Sequence, residues 1–230
     1  MADYATTRDR VEHYFDRSAT KTWERLTSDA PVSGIRATVR AGRDRMRTLM
    51  LAQLPGDLRG ARILDAGCGT GAMAVELAQR GADVVAVDIS PALVEIGAKR
   101  MPANLPGQIT WVAGDMLEAT DGDFDHAVAM DSMIYYTAPD IAALLGRASA
   151  RVSGKFVFTL PPRTPALMAM WRVGKFFPRA DRSPVMIPQS TAGVAQALRD
   201  ASVKGRLREV EQVKSGFYFS NALVFEGDTK

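Results

Sequence analysis

The run Arg62-Ile63-Leu64-Asp65-Ala66 is short, mostly apolar and carries an acid near its end. Gly67, Gly69 and Gly71 follow at alternate positions, and apolar residues resume at helical spacing from Ala72 to Arg80. That order reads as a strand, a tight turn and a helix. Glycines in such a turn let the backbone take positive φ and let a ligand lie against bare main chain, where free amides at the helix start point outward. The turn is built for close approach.

The pattern is G-x-G-x-G led by an acid, and it differs from the G-x-G-x-x-G fingerprint that packs against a pyrophosphate. Asp65 would repel a phosphate but would welcome an ammonium group. S-adenosylmethionine offers an α-amino group, a carboxylate for the loop amides and a sulfonium. The next apolar run, Asp83 to Val87, ends in Asp88, which suits a two-point grip on ribose hydroxyls, with Ile89 beside it. Gly114-Asp115-Met116 follow a third strand, and Asp131 follows a fourth. The candidate cofactor residues are therefore Asp65, Gly67, Gly69, Gly71, Asp88, Ile89, Asp115, Met116 and Asp131. A lone glycine turn could serve packing alone, but a set of acids at successive strand ends points to a ligand.

Strands are expected at 62–66, 83–87, 108–113, 124–130 and 155–160, with helices at about 72–80, 90–101, 139–151 and 165–177. This alternation predicts an α/β fold: a doubly wound, mostly parallel, Rossmann-like sheet with helices on both faces. Ligands in such sheets sit beyond the carboxyl ends of the strands, at the switch point. Residues 206–213 and 217–225 read as strands joined by a turn at Ser215-Gly216, giving a C-terminal antiparallel hairpin. Residues 1–56 form a helical N-terminal arm or lid. It holds a short helix over Asp9 to Phe15 and an amphipathic helix from Ser33 towards Pro55-Gly56, with arginines between its apolar positions. Those arginines form either a solvated face or the underside of a lid over an acidic substrate.

Composition narrows the function classes. With 230 residues, 47% of them hydrophobic, the chain can build a large core without staples. Cys68 is the single cysteine, so no internal disulfide forms, and a reducing compartment is expected. A net charge of +3 falls far short of the basic stripe of a nucleic-acid binder. No apolar run approaches the length of a membrane span, and the opening MADYATTRDR lacks the apolar core of a signal peptide. A cytoplasmic protein, soluble or peripheral to a membrane, is the expectation. No His, Cys and carboxylate cluster has ligand spacing, so no metal site is expected; His13 and His126 read as structural.

Between Pro161 and Pro188 the chain changes character. Leu167, Met168, Met170, Trp171, Val173, Phe176 and Phe177 place apolar groups on nearly every side of the expected helix, more than one sheet face uses. Beyond plain core packing, a flat hydrophobic ligand, a membrane surface or a partner protein would complement it.

The cofactor motifs LDAGCGTG, VVAVDIS and AGDM resemble those of the class I S-adenosylmethionine-dependent methyltransferases. In that class the second acid holds the ribose, and the third, with its following amide, reads the adenine. The segments VEHYFDRSATKTWERL, AMDSMIYYTAPD, PPRTPALMAMWRVGKFFPRADRSPVMIP and SGFYFSNALVFE are similar to the magnesium-protoporphyrin IX O-methyltransferases of photosynthetic bacteria, over nearly the whole chain. The resemblance implies methyl transfer to a propionate of magnesium protoporphyrin IX in bacteriochlorophyll biosynthesis. It also implies partnership with the large subunit of magnesium chelatase. On this reading residues 57–230 are the methyltransferase domain, with a substrate-facing insertion at about 161–190. In oxygenic members an arm tyrosine and a histidine after strand four are the proposed catalytic pair; Thr27 and Tyr135 stand at those positions here.

A propionate with a pKa near that of Glu, roughly 4.3, is already ionised at neutral pH and needs no base to act as nucleophile. It needs alignment, and orientation of this kind is worth roughly 7–11 kcal/mol in well-arranged reactions. Tyr135 or Tyr136 is expected to orient it by a hydrogen bond. Arg40 and Arg163 are candidates for the other propionate, and Tyr14 and Trp23 for stacking on the macrocycle. Two other readings stay open: a methyltransferase for another small acceptor, and a non-catalytic porphyrin carrier or chelatase-docking protein.

Overall fold

The computed structural model describes residues 4–15, 34–116, 118, 120–165, 168 and 185–228. Seven strands form one sheet: β1 (Arg62–Ala66), β2 (Asp83–Asp88), β3 (Gln108–Ala113), β4 (His126–Ala129), β5 (Lys155–Leu160), β6 (Gly205–Ser215) and β7 (Tyr218–Gly227). Their order is β3-β2-β1-β4-β5-β7-β6. The first five are parallel, and β7 runs antiparallel to both β5 and β6. The winding direction reverses at β1, so the carboxyl ends of β1 and β4 flank the crevice where ligands lodge. The described helices are α1 (Tyr4–Tyr14), α2 (Gly34–Leu51), α3 (Ala72–Gln79), α4 (Pro91–Arg100), α5 (Ala138–Ala148) and α6 (Thr191–Asp200).

The central strands are apolar throughout because both faces are covered. On one side Leu64, Val85, Phe156 and Phe158 pack with Ile141, Leu145, Val194 and Leu198 of α5 and α6. On the other Ile63, Val84, Val128 and Val157 pack with Met46 and Met50 of α2 and Leu77 of α3. Alternate residues of each strand thus feed opposite cores, as the pleat demands. Helix starts are written locally: Thr137 and Asp140 form a capping box on α5, and Ser90 caps α4 with Pro91 in its first turn.

Several boundaries differ from the sequence reading. Helix α1 begins at Tyr4, five residues before the expected Asp9. Helix α6 was not expected at all, although Ser190 caps it by accepting from the Gly193 amide. Strand β4 starts at His126 rather than 124; Phe124 contributes one isolated parallel bridge to Val152. Of the expected helix at 165–177 only Pro165 and Met168 are described, and Trp23 and Thr27 lie outside the described residues. Among the described residues no helix is long and apolar enough to cross a membrane.

Helix α2 lies tightly on the hairpin. A Cβ at Gly42 would stand 2.7 Å from Cδ1 of Tyr218, so only glycine lets the helix and β7 approach this closely.

Candidate active site

A cavity opens at the carboxyl ends of β1, β2, β3 and β4. Gly67, Asp88, Ile89, Asp115, Met116, Asp131, Ser132, Tyr135 and Tyr136 form its walls, and Tyr4, Arg8 and Val11 of α1, with Phe15 just after it, roof it. Eight of the residues singled out in the sequence thus meet in one place. Asp65, Gly69 and Gly71 are not on the cavity wall. The roof residues escaped the sequence reading. They recur at i, i+4, i+7 and i+11 on one helix face, a signal hidden by starting the helix at Asp9.

Gly67, Gly69 and Gly71 all take positive φ, at 81°, 55° and 82°. The reason expected for them, room for a ligand, is incomplete. A Cβ on Gly67 would meet Cβ of Ser132 at 2.2 Å, and one on Gly71 would meet Cη2 of Trp111 at 2.1 Å. At those two positions the protein's own packing already excludes a side chain.

Asp65 is 1% exposed and receives a hydrogen bond from the Ala74 amide, while its Oδ2 is buried with no partner. Burial, reinforced by the charge of Asp88, pushes its carboxyl up to about 7. A buried, unpartnered carboxylate oxygen under a turn of positive-φ glycines is the complement of a ligand carrying an ammonium group. Asp88 is held at the wall by backbone: Oδ2 accepts from the Gly69 amide at 2.8 Å and Oδ1 from the Ser90 amide at 2.9 Å. Those bonds tie the acid of the second strand to the glycine turn of the first.

At the third strand, Asp115 Oδ2 accepts from the Tyr4 hydroxyl at 2.7 Å, and Oδ1 from the Glu118 amide at 3.3 Å. The Tyr4 ring stacks on Tyr136 at 4.9 Å between centroids. Burial, with the nearby Asp115 charge, pushes the Tyr136 phenol up to about 12, and burial raises Tyr4 as well. Both keep their protons at neutral pH, and Tyr4 gives its proton to the hydrogen bond with Asp115. Tyr135 sits in a single 3-10 turn, Met133–Tyr135, and meets Phe15 edge-on at 6.4 Å. The returning chain braces this turn: the Ile187 amide donates to the Ile134 carbonyl at 2.8 Å, and Gln189 Nε2 donates to the Tyr136 carbonyl at 3.2 Å.

At the end of β4, Asp131 takes φ 58°, rare for a residue with a side chain. Arg43 of α2 pairs with its Oδ2 at 2.8 Å, and the Tyr218 and Thr159 hydroxyls each donate to Oδ1 at 3.1 Å. Its amide donates to Thr159 Oγ1 at 2.8 Å. Arg43 of α2 meets the wall through this pair with Asp131. Arg40 is half-buried and Arg163 exposed, and neither lines the cavity. Tyr14 packs edge-on against Phe15 outside it. His126 has the structural part expected: its Nδ1 accepts from the Lys155 amide at 3.0 Å, and burial lowers its pKa. The Cys68 thiol is buried and pushed up by that burial. Among the described residues no group of His, Cys, Asp and Glu could hold a metal ion.

Comparison with known proteins matches nearly the whole length. A family profile described as magnesium-protoporphyrin IX methyltransferase C-terminus matches residues 129–226, and one described as a methyltransferase domain matches residues 63–153. The chain is 52% identical to a magnesium-protoporphyrin O-methyltransferase of Rhodobacter capsulatus, across 97% of this chain and 98% of that protein. It is 24% identical to the Synechocystis protein of the same name, across 93% of each. A crystal structure of magnesium protoporphyrin IX methyltransferase from Synechocystis PCC 6803 with bound SAH shares the fold. Its TM-score is 0.77 at 23% identity, covering 94% of this chain and 98% of that one.

Proposed function

This chain belongs to the magnesium-protoporphyrin O-methyltransferase family, and from that premise we propose that it esterifies one propionate of magnesium protoporphyrin IX to the monomethyl ester, in bacteriochlorophyll biosynthesis. It is an S-adenosylmethionine-dependent methyltransferase. The observation that carries the substrate is the 52% identity over 97% of the chain, which takes in the acceptor-side blocks as well as the cofactor strands.

When bound, S-adenosylmethionine supplies an electrophilic methyl group on a sulfonium. Asp88 would hold the ribose, Asp115 and the Met116 amide the adenine, and the glycine turn with Asp65 the amino-acid end. The buried Oδ2 of Asp65, without a partner, supports that assignment. The rest of the work is positioning. The acceptor carboxylate is ionised without help, and the Tyr135 or Tyr136 hydroxyl orients it by donating a hydrogen bond. A phenol pushed up to about 12 keeps its proton, which favours Tyr136 as a donor over any role as a base. A cation pressed against the attacking oxygen would blunt it, so arginines serve the spectator propionate. Helix α1 lines the cavity, where it would help to keep water from the reacting groups.

The same reading makes the large subunit of magnesium chelatase the partner that delivers the porphyrin. It places the enzyme in the cytoplasm, peripheral to the photosynthetic membrane. The apolar composition of residues 165–177 supports both contacts.

The test is to incubate the protein with methyl-labelled S-adenosylmethionine and magnesium protoporphyrin. A base-labile labelled porphyrin ester is the expected product. No ester under conditions where the cofactor binds would overturn the substrate assignment.

A further inference from the structure

Asp131 stands out from the other acids of the site by what holds it. Asp88 is fixed by backbone amides, whereas Asp131 is held by side chains from three separate elements: Arg43 of α2, Thr159 of β5 and Tyr218 of β7. Both of its oxygens are engaged, and its amide is tied back to Thr159. A non-glycine residue at φ 58° costs free energy and persists only where its surroundings over-determine it. The element so fixed is the start of the segment that carries Ser132, Tyr135 and Tyr136 into the cavity.

The helix that brings Arg43 has been fitted to this place. Gly42 precedes it, and glycine inside a helix is unfavourable by about 1 kcal/mol relative to alanine. The glycine is accounted for by Tyr218, which a Cβ would strike at 2.7 Å. Gly42 and Arg43 therefore dock on the same residue pair, one by leaving room and the other by charge.

Charge gives the arrangement its meaning. The cavity wall already carries Asp88 and Asp115, which suit a cationic cofactor. An anionic acceptor must approach the same wall, and an uncompensated third carboxylate would oppose it. The Arg43 and Asp131 side chains are 16% and 9% exposed, so solvent does little to screen them.

We infer that Arg43 and Asp131 form a charge-balanced clamp that positions the Tyr135–Tyr136 turn for an anionic acceptor, and that Asp131 serves the acceptor rather than the cofactor. The inference deepens the methyltransferase reading and rests on it. Asp131 and Arg43 are positioning residues, acting through the turn and through the charge of the wall.

The test uses the full chain, with calorimetry on S-adenosylhomocysteine, steady-state kinetics on magnesium protoporphyrin and a thermal midpoint for each variant. Arg43→Met leaves the carboxylate with its two hydroxyl donors but no counter-charge: KM for the porphyrin should rise about tenfold or more, while cofactor Kd stays within about twofold. Asp131→Asn, which tolerates the left-handed backbone, should lower kcat at unchanged cofactor Kd. The double variant Arg43→Met, Asp131→Asn should recover most of the lost porphyrin KM, because no bare charge remains. Tyr218→Phe removes one hydroxyl and no charge, and should lower kcat about threefold even if Arg43→Met does not fold.

A tenfold loss of cofactor affinity in Asp131→Asn with porphyrin KM unchanged would overturn the clamp, as would a double variant no better in porphyrin KM than Arg43→Met. Failure of the wild type to form ester while binding cofactor would instead overturn the substrate reading. The cofactor calorimetry of Asp131→Asn would still decide whether Asp131 is a cofactor ligand.

Discussion

Gly67→Ala tests whether the glycine turn is dictated by the protein's own packing. Two costs can be worked from the structure. A left-handed backbone at φ 81° costs a residue with a Cβ about 1–2 kcal/mol. The new methyl would also lie 2.2 Å from Cβ of Ser132, so Ser132 must move, and its Oγ would lose the 2.7 Å bond to the Ala66 carbonyl. That bond contributes about 0.5–1.5 kcal/mol. Together the variant should lose about 1.5–3.5 kcal/mol, roughly a 10- to 300-fold change in the folding equilibrium. Urea unfolding followed by tryptophan fluorescence measures it. The decisive comparison adds Ser132→Gly, which removes the obstructing atom. Packing predicts that the double variant is about 1 kcal/mol more stable than the sum of the singles. Strict additivity, or a Gly67→Ala loss under about 0.5 kcal/mol, would refute the reasoning.

Three further outcomes follow from the site. Asp65 is held above its ordinary carboxylate value, up to about 7, so between those values the fold binds more protons than the unfolded chain; stability should fall as pH rises through that window. Cofactor affinity, which gains from the ionised form, should rise over the same window, and Asp65→Asn should flatten both curves in calorimetry and urea titrations. Asp88→Ala should raise the cofactor KM at least about tenfold with a smaller change in kcat, whereas an unchanged KM would remove it from the ribose role. Tyr136→Phe should lower kcat about 3- to 10-fold, and the wild-type rate should show no tyrosine ionisation below about pH 10; a base-limited profile there would contradict a donor.

How much of this was legible depended on sequence distance. The strand ends at Asp65, Asp88 and Asp115 could be read because each acid closes a local apolar run, and a parallel sheet sends all such ends to one edge. That Tyr135 and Tyr136 lie between β4 and the next helix could be read because Thr137-Ala138-Pro139-Asp140 marks that helix's start, but the 3-10 turn at Met133–Tyr135 could not. Helix α1 was started too late because no capping residue was recognised before Tyr4, and that error hid the roof. The Arg43, Tyr218 and Thr159 contacts to Asp131 span 88, 87 and 28 residues, and no periodicity encodes them. Helical spacing gives a stripe of arginines along α2 without saying that Arg43 is the one that pairs with Asp131. The glycine turn was recognised for its conformation but not for its packing, since Ser132 arrives from the segment after β4 and Trp111 from β3.

The strand order has a bearing on synthesis. Strand β7 is made after β6 yet lies inboard of it, against β5. While the ribosome is still working through β6, the flank of β5 offers its unpaired amides and carbonyls to any passing strand. Tyr218 opens β7, so the acid at the end of β4 waits for its hydroxyl until that late stage. Asp131 therefore gains its full set of partners, and both faces of the sheet their last core residues, only when the hairpin folds back.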